Sequence, residues 1–321
     1  MLYPVLAILA GFVALVWGAD RFVMGAAATA KNVGASPLVI GLTIVAFGTS
    51  APEMLVSSMA AFTGNPALGV GNAIGSNITN IALVLGCAAL VRPLSVHSRI
   101  IRREVPLLLL TMAIAYGLML WDHDLGRLDG GLLLAGLFVM VGWVVWEGLT
   151  GEGDDLSAEV EDEMPPEMST LKALDWFSLG LLVLLGSSRL LVWGAVIFAN
   201  KLGVSDGVIG LTVVAFGTSL PELAASVAAA RRNEHDIAVG NVIGSNMFNL
   251  LGVLSLPGLI RPGPVEQEVL TRDFPAMFMV TVLALFFAKG FRKSGELGRL
   301  EGGLMVTAFF AYIFWLYLDS M

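Results

Sequence analysis

Apolar residues in this chain run together for about 20 positions at a time, ten times over, where a soluble fold would alternate them with polar ones. The runs fall near 3–19, 37–62, 66–91, 104–121 and 128–149, and then near 173–199, 206–230, 236–260, 273–289 and 299–318. About 20 mostly apolar residues in a helix cross about 30 Å of hydrocarbon, so each run predicts a transmembrane helix. Tyr3, Trp17, Trp121, Trp176 and Tyr317 stand at ends of these runs, where amphipathic rings anchor at a bilayer interface. No basic stretch precedes the first run, so no cleaved signal peptide is expected. Residues 150–171 form the only sizeable hydrophilic segment, and their acidic, Pro-containing composition predicts a solvated linker.

Composition agrees. Hydrophobic residues make up 56% of the 321 and charged residues only 14%, with a mean hydropathy of +0.82. Soluble domains carry about 25% charged residues, so a soluble enzyme, a disordered chain and a nucleic-acid binder are all excluded. The net charge of −8 lies wholly in the linker, in Glu152, Asp154, Asp155, Glu159, Glu161, Asp162, Glu163 and Glu167. That segment lacks the Gly-centred spacing of a calcium-binding EF-hand loop. The single cysteine, Cys87, cannot form an intramolecular disulfide and reads as a small core residue. With ten spans and an external N-terminus, the inner loops hold 13 of the 18 Lys and Arg residues. The positive-inside bias therefore predicts an inner-membrane protein with both termini outside and the acidic linker in the cytoplasm.

An internal repeat organises the spans. Residues 40–53 (IGLTIVAFGTSAPE) match 209–222 (IGLTVVAFGTSLPE) at twelve of fourteen positions, and 71–80 (GNAIGSNITN) match 240–249 (GNVIGSNMFN) at seven of ten. The offset is 169 in both, and weaker echoes pair Arg92-Pro93 with Arg261-Pro262, Pro106 with Pro275 and GRLDGG at 126–131 with GRLEGG at 298–303. Residues 1–149 and 172–321 thus read as homologous five-helix halves joined by 150–171. Five is odd, so the second half must enter the membrane from the opposite side. The expected fold is an all-α polytopic membrane protein of ten helices in two inverted repeats, the architecture of secondary transporters.

Glu53 and Glu222 are the two acids deep within spans, one per repeat, and no Lys, Arg or His shares their spans at comparable depth. A buried charge there costs at least about 2.5–3.5 kcal/mol, so it marks a function by default. At helical spacing Ala46, Thr49, Ser50, Glu53 and Ser57 share a face, as do Ala215, Thr218, Ser219, Glu222 and Ser226. Pro52 and Pro221 each remove a backbone donor and press on the carbonyl four residues earlier, at Gly48 and Gly217, which frees backbone carbonyls. A plain proline kink with back-bonded hydroxyls explains the Ser and Thr residues but not the glutamates. In the following spans Asn72, Ser76 and Asn80, and Asn241, Ser245 and Asn249, recur every four residues. The predicted site is one all-oxygen cage of charge −2, which suits a hard cation such as calcium. Zinc, copper and iron–sulfur chemistry are disfavoured, because Cys87 is alone and His97, His123 and His235 are placed in loops. No nucleotide-binding motif offers ATP-driven pumping.

The paired GTSAPE and GTSLPE segments, each followed by GNxxGSNxxN, resemble the two alpha-repeats of the calcium/cation antiporter superfamily, and within it the prokaryotic sodium/calcium exchangers. The resemblance covers the whole chain except the linker. It implies a non-enzymatic antiporter without cofactors, exchanging sodium for calcium by alternating access, with the lipid bilayer as its setting and no obligatory protein partner or nucleic acid. Residue by residue it implies Glu53 and Glu222 as shared carboxylates, hydroxyl ligands at Thr49, Ser50, Thr218 and Ser219, and carbonyl ligands at Ala46 and Ala215. Ser76, Asn80 and Ser245 match the remaining ligand positions. Asn249 stands where many relatives, potassium-dependent ones included, carry aspartate. A proton-coupled or potassium-dependent calcium antiporter is the alternative, and a passive cation channel the more distant one. Proton-coupled relatives usually carry asparagine where this chain has Thr49-Ser50 and Thr218-Ser219.

Overall fold

The computed structural model describes residues 2–97, 100–150, 168–202, 215–290 and 295–319. Eight helices among them are long and apolar enough to cross a membrane. In chain order the segments begin with α1 (Leu2–Val33), α2 (Pro37–Thr49), α3 (Ala51–Phe62), α4 (Pro66–Val91), α5 (Ile100–Asp122) and α6 (Arg127–Thr150). They continue with α7 (Thr170–Lys201), α8 (Ala215–Thr218), α9 (Leu220–Arg231), α10 (His235–Ile260), α11 (Val269–Lys289) and α12 (Arg299–Asp319). Helices α2 and α3 make a further span as a pair bent by 42°. The expected span at 206–230 is described only as α8 and α9, because 203–214 lie outside the described residues, as does 151–167 of the linker.

Burial sorts the helices. The most apolar stretch of α10 is 100% buried and that of α4 78% buried, against 22–39% for the other six long helices. The two helices carrying the GNxxGSNxxN segments therefore form the centre, and the rest present large side chains such as Phe12, Trp121 and Phe138 outward. Helices α1 and α7 pack side by side along their length. Gly11, Gly18 and Gly25 recur every seven residues on α1, where a Cβ at Gly18 would stand 2.9 Å from Leu184 N and one at Gly25 2.7 Å from Ala173 O. Small residues permit such backbone approach between membrane helices, where van der Waals packing replaces the hydrophobic drive. Cys87 lies half-buried in α4 against the apolar core.

Two short antiparallel ladders clip the halves together. Leu94–Ser95 (β1) pairs with Glu296–Leu297 (β4), and Asp124–Leu125 (β2) pairs with Gly263–Pro264 (β3). Helix α5 lies between β1 and β2 and spans about 34 Å at 1.5 Å per residue, so the clips sit at opposite ends of it. The Arg-Pro echoes end α4 and α10 just before β1 and β3, and the GRLDGG and GRLEGG echoes open α6 and α12. Gly126 N donates to Asp129 Oδ2 at 2.8 Å, a helix-start bond that accounts for that acid. His97 lies in a loop and His123 ends α5 in the left-handed region with φ 59°, but His235 opens α10 and so is not a loop residue.

Candidate cation site

The breaks form where the prolines require them. Helix α2 stops at Thr49, Ser50 adopts φ −79° and ψ 2°, and α3 restarts with Pro52 in its first turn. Helix α8 stops at Thr218, Ser219 adopts φ −88° and ψ 7°, and α9 restarts with Pro221. Glu53 and Glu222 fall in the first turns of the new helices, where the positive end of the helix dipole favours a carboxylate. Neither side chain is accessible to solvent.

Two asparagines hold these breaks. Asn72 Nδ2 donates to Glu53 O at 3.2 Å and to Ser57 Oγ at 3.0 Å. Asn241 Nδ2 donates to Glu222 O at 3.4 Å and to Ser226 Oγ at 2.8 Å. The first rungs of the two amide ladders, Asn72 and Asn241, thus engage the glutamate backbones. The halves also interlock: Ser50 Oγ donates to Glu222 Oε1 at 3.3 Å, and Thr49 Oγ1 donates to Asn241 Oδ1 at 3.1 Å while lying 3.4 Å from Ser245 Oγ.

Asn80 and Asn249 occupy π-helical turns, Thr79–Leu85 in α4 and Asn249–Val253 in α10. Such wider turns recur at functional sites, and neither has a local sequence signature here. Ala46, Thr49, Ser50, Ser76, Asn80, Ser219, Ser245 and Asn249 are all buried, Thr218 is half-buried, and the backbone of Ala215 begins α8. Sequence reasoning passed over Asn77 and Asn246, which bond to each other's carbonyls, although their identity at the repeat offset was a usable signal.

Polar atoms buried without hydrogen-bond partners are rare and call for an unseen water, an ion or a functional role. Among the described residues they concentrate here: both carboxylate oxygens of Glu53, Oε2 of Glu222, Oγ of Ser219, and both amide atoms of Asn80 and of Asn249. No ion pair involving either glutamate occurs among the described residues, nor does any group of three or more His, Cys, Asp and Glu side chains suited to a metal. Two carboxylates supplemented by hydroxyls, amides and carbonyls suit a hard cation bound as cargo rather than a thiolate or imidazole metal.

A family model described as sodium/calcium exchanger protein matches residues 3–146 and 172–318. The chain is 46% identical to the putative antiporter CaxA of Alkalimonas amylolytica over 99% of both chains. It is 40% identical to the inner membrane protein YrbG of Escherichia coli strain K12, over 99% of this chain and 98% of that one. Among solved structures, the sodium-calcium exchanger NCX_Mj soaked without Na+ and Ca2+ superposes with a TM-score of 0.84 at 34% identity, covering 98% of this chain and 99% of that one.

Proposed function

Because the chain belongs to the sodium/calcium exchanger protein family, we propose that it is an antiporter driving calcium across the cell membrane against a flow of sodium. The observation that carries this reading is the set of orphaned buried oxygens around Glu53 and Glu222. Their charge of −2 balances one calcium ion or pairs with two sodium ions, so the two cations compete for one cage. An empty cage would strand two charges in low dielectric, which favours crossing only when loaded and makes exchange obligatory. Glu53, Glu222, Thr49, Ser50, Thr218, Ser219, Ser76, Asn80, Ser245 and Asn249, with the carbonyls of Ala46 and Ala215, form the proposed ligand set. The hydroxyl pairs beside each glutamate favour sodium over protons as the coupling ion.

Ten helices in two inverted halves, 1–149 and 172–321, complete the proposal, with the 150–171 linker in the cytoplasm and both termini outside. The repeated networks around Asn72 and Asn241 support it. The deciding experiment is calcium flux into proteoliposomes with sodium, potassium or proton gradients imposed separately. Flux driven by sodium alone is expected; flux driven by protons alone replaces the reading with the proton-coupled one, and flux without any counter-ion gradient or exchange points to a channel. A cysteine placed within 152–167 is expected to react with an impermeant maleimide only from the cytoplasmic side.

A further inference from the structure

The proposed ligand set makes no use of Asn77 and Asn246, yet both are buried at the centre of the molecule, each 1% exposed. Asn77 Nδ2 donates to Asn246 O at 3.2 Å, and Asn246 Nδ2 donates to Asn77 O at 3.4 Å. Two bonds thus run in opposite directions between one pair of residues and tie α4 to α10 at a single level. Only the NH2 group of an asparagine can donate to a carbonyl, so the partners fix the amide orientation. The Oδ1 atoms of both residues then accept nothing among the described residues, although they are buried. Burying two acceptors without donors is unfavourable, and apolar side chains of similar volume would close the same gap between α4 and α10 without that cost.

Their place in the helices gives the pair its consequence. Asn77 follows Ser76 directly and precedes Asn80 by three, and Asn246 stands in the same relation to Ser245 and Asn249. At 100° per residue Ser76 and Asn80 lie on the same side of Asn77, about 100° and 60° around the helix from it. Each helix therefore turns one asparagine toward its partner helix and its ligand-bearing face toward the glutamates. The π-helical turns that carry Asn80 and Asn249 begin two and three residues beyond the brace.

We propose that Asn77 and Asn246 form a cross-brace that sets the separation of the two ligand-bearing faces, and hence the size of cation the cage accepts. They are positioning residues for specificity and touch no ion. The proposal rests on the cation-exchange reading, and its test is chosen to fail separately. Asn77→Leu, Asn246→Leu and the double variant keep volume and delete the donors. Binding of calcium and of the larger strontium ion is measured on purified protein in detergent, independently of what drives transport. A loosened cage accommodates the larger ion relatively better, so each single variant is expected to shift the strontium-to-calcium affinity ratio toward strontium by about threefold or more, within what one net hydrogen bond allows. The double variant is expected to shift it no further than the larger single, because the two bonds act as one unit. Restoring one donor with Asn77→Gln is expected to recover part of the ratio, which keeps the test open where a leucine variant fails to fold. Equal loss of affinity for both ions, or an unchanged ratio in folded variants, overturns the brace while leaving the exchange reading intact. An unmutated protein that binds neither ion overturns both.

Discussion

In the first half Asn72 binds the carbonyl of Glu53 and the hydroxyl of Ser57; in the second Asn241 binds the carbonyl of Glu222 and the hydroxyl of Ser226. The helix breaks at Ser50 and Ser219 have nearly the same dihedral angles, and Asn77 and Asn246 exchange identical bonds. Away from the site the correspondence is incomplete. The turn joining α9 to α10 is bolted twice to the first half: Arg232 places both Nε and Nη2 2.7 Å from Asp20 Oδ1 on α1, and Asp236 lies 2.9 Å from His97 Nδ1. The matching turn joining α3 to α4 has Thr63 and Ala67 at those positions, with Arg189 and Glu266 where the partners would be, and neither pairing makes an ion pair. That turn instead packs Gly64, at φ 97°, near the guanidinium of Arg261. The halves are held alike around Glu53 and Glu222, and they diverge at the junctions that follow α3 and α9.

The sharpest way to break this comparison is to remove one glutamate at a time. Glu53→Gln and Glu222→Gln are each expected to reduce calcium flux in proteoliposomes to background while gel filtration still shows a folded protein. A half-site that tolerates the change, with near-normal uptake by either variant, would mean that the two carboxylates do not share one ion. Equal loss from both halves is the expected result.

How much of this arrangement was legible depended on whether the cause was local. Pro52 and Pro221 dictate their breaks through a missing donor and a clash four residues back, so the interruptions and the glutamates beside them could be read directly. The apolar runs likewise gave nine of the ten expected spans among the described residues, with α2 and α3 joined across their bend. The π-helical turns around Asn80 and Asn249 and the role of Asn72 at the Glu53 backbone depend on how α3, α4, α9 and α10 meet. No helical period encodes that meeting. Asp20 and Arg232 are 212 residues apart and outside the repeat motifs, so nothing in the sequence couples them. His235, expected in a loop, instead opens α10, the most buried long helix among the described residues.

A smaller effect is expected at Asn80 and Asn249, where the halves already agree. Asn80 and Asn249 are both neutral, so the proposed cage carries only the two glutamate charges, too few for calcium together with a further monovalent cation. Sodium-driven calcium flux is therefore expected to persist when potassium is replaced by choline. Asn249→Asp makes the cage unequal by adding a third carboxylate beside two others, and like charges at short range disfavour joint ionisation. Flux by this variant is expected to depend more steeply on pH than that of the unmutated protein and to gain from added potassium. If the unmutated protein stops without potassium, the neutral pair has been misread.

Smaller again is the bolt between α1 and the α9–α10 turn. Arg232 and Asp20 are 30% and 42% exposed at their side chains, and pairs of that kind contribute about 1 kcal/mol or less. Asp20→Asn is expected to lower the Tm by no more than about 3 °C, and Asp20→Arg with Arg232→Asp is expected to restore it. A larger, unrescued loss would mean that Asp20 acts through some contact other than Arg232.

The second bolt gives the smallest effect and a definite sign. The hydrogen bond to Asp236, helped by that residue's charge, raises the pKa of His97 above its ordinary value against the opposing influence of partial burial. A group whose folded pKa is raised stabilises the fold fully below its unfolded pKa, about 6.5 for histidine, and that contribution fades as pH climbs through the folded value. His97→Gln can still hydrogen-bond Asp236 but cannot take up the proton, so it isolates the charge. The side chain of His97 is 43% exposed, and solvent screens most of the interaction. The unmutated protein is therefore expected to melt about 1 °C above His97→Gln at pH 6, with the gap closing by pH 8.5. A gap that widens as pH rises would mean that His97 is held in its neutral form. The bridge would then be a neutral hydrogen bond, and the Asp20–Arg232 pair alone would distinguish this junction by charge from its counterpart in the first half.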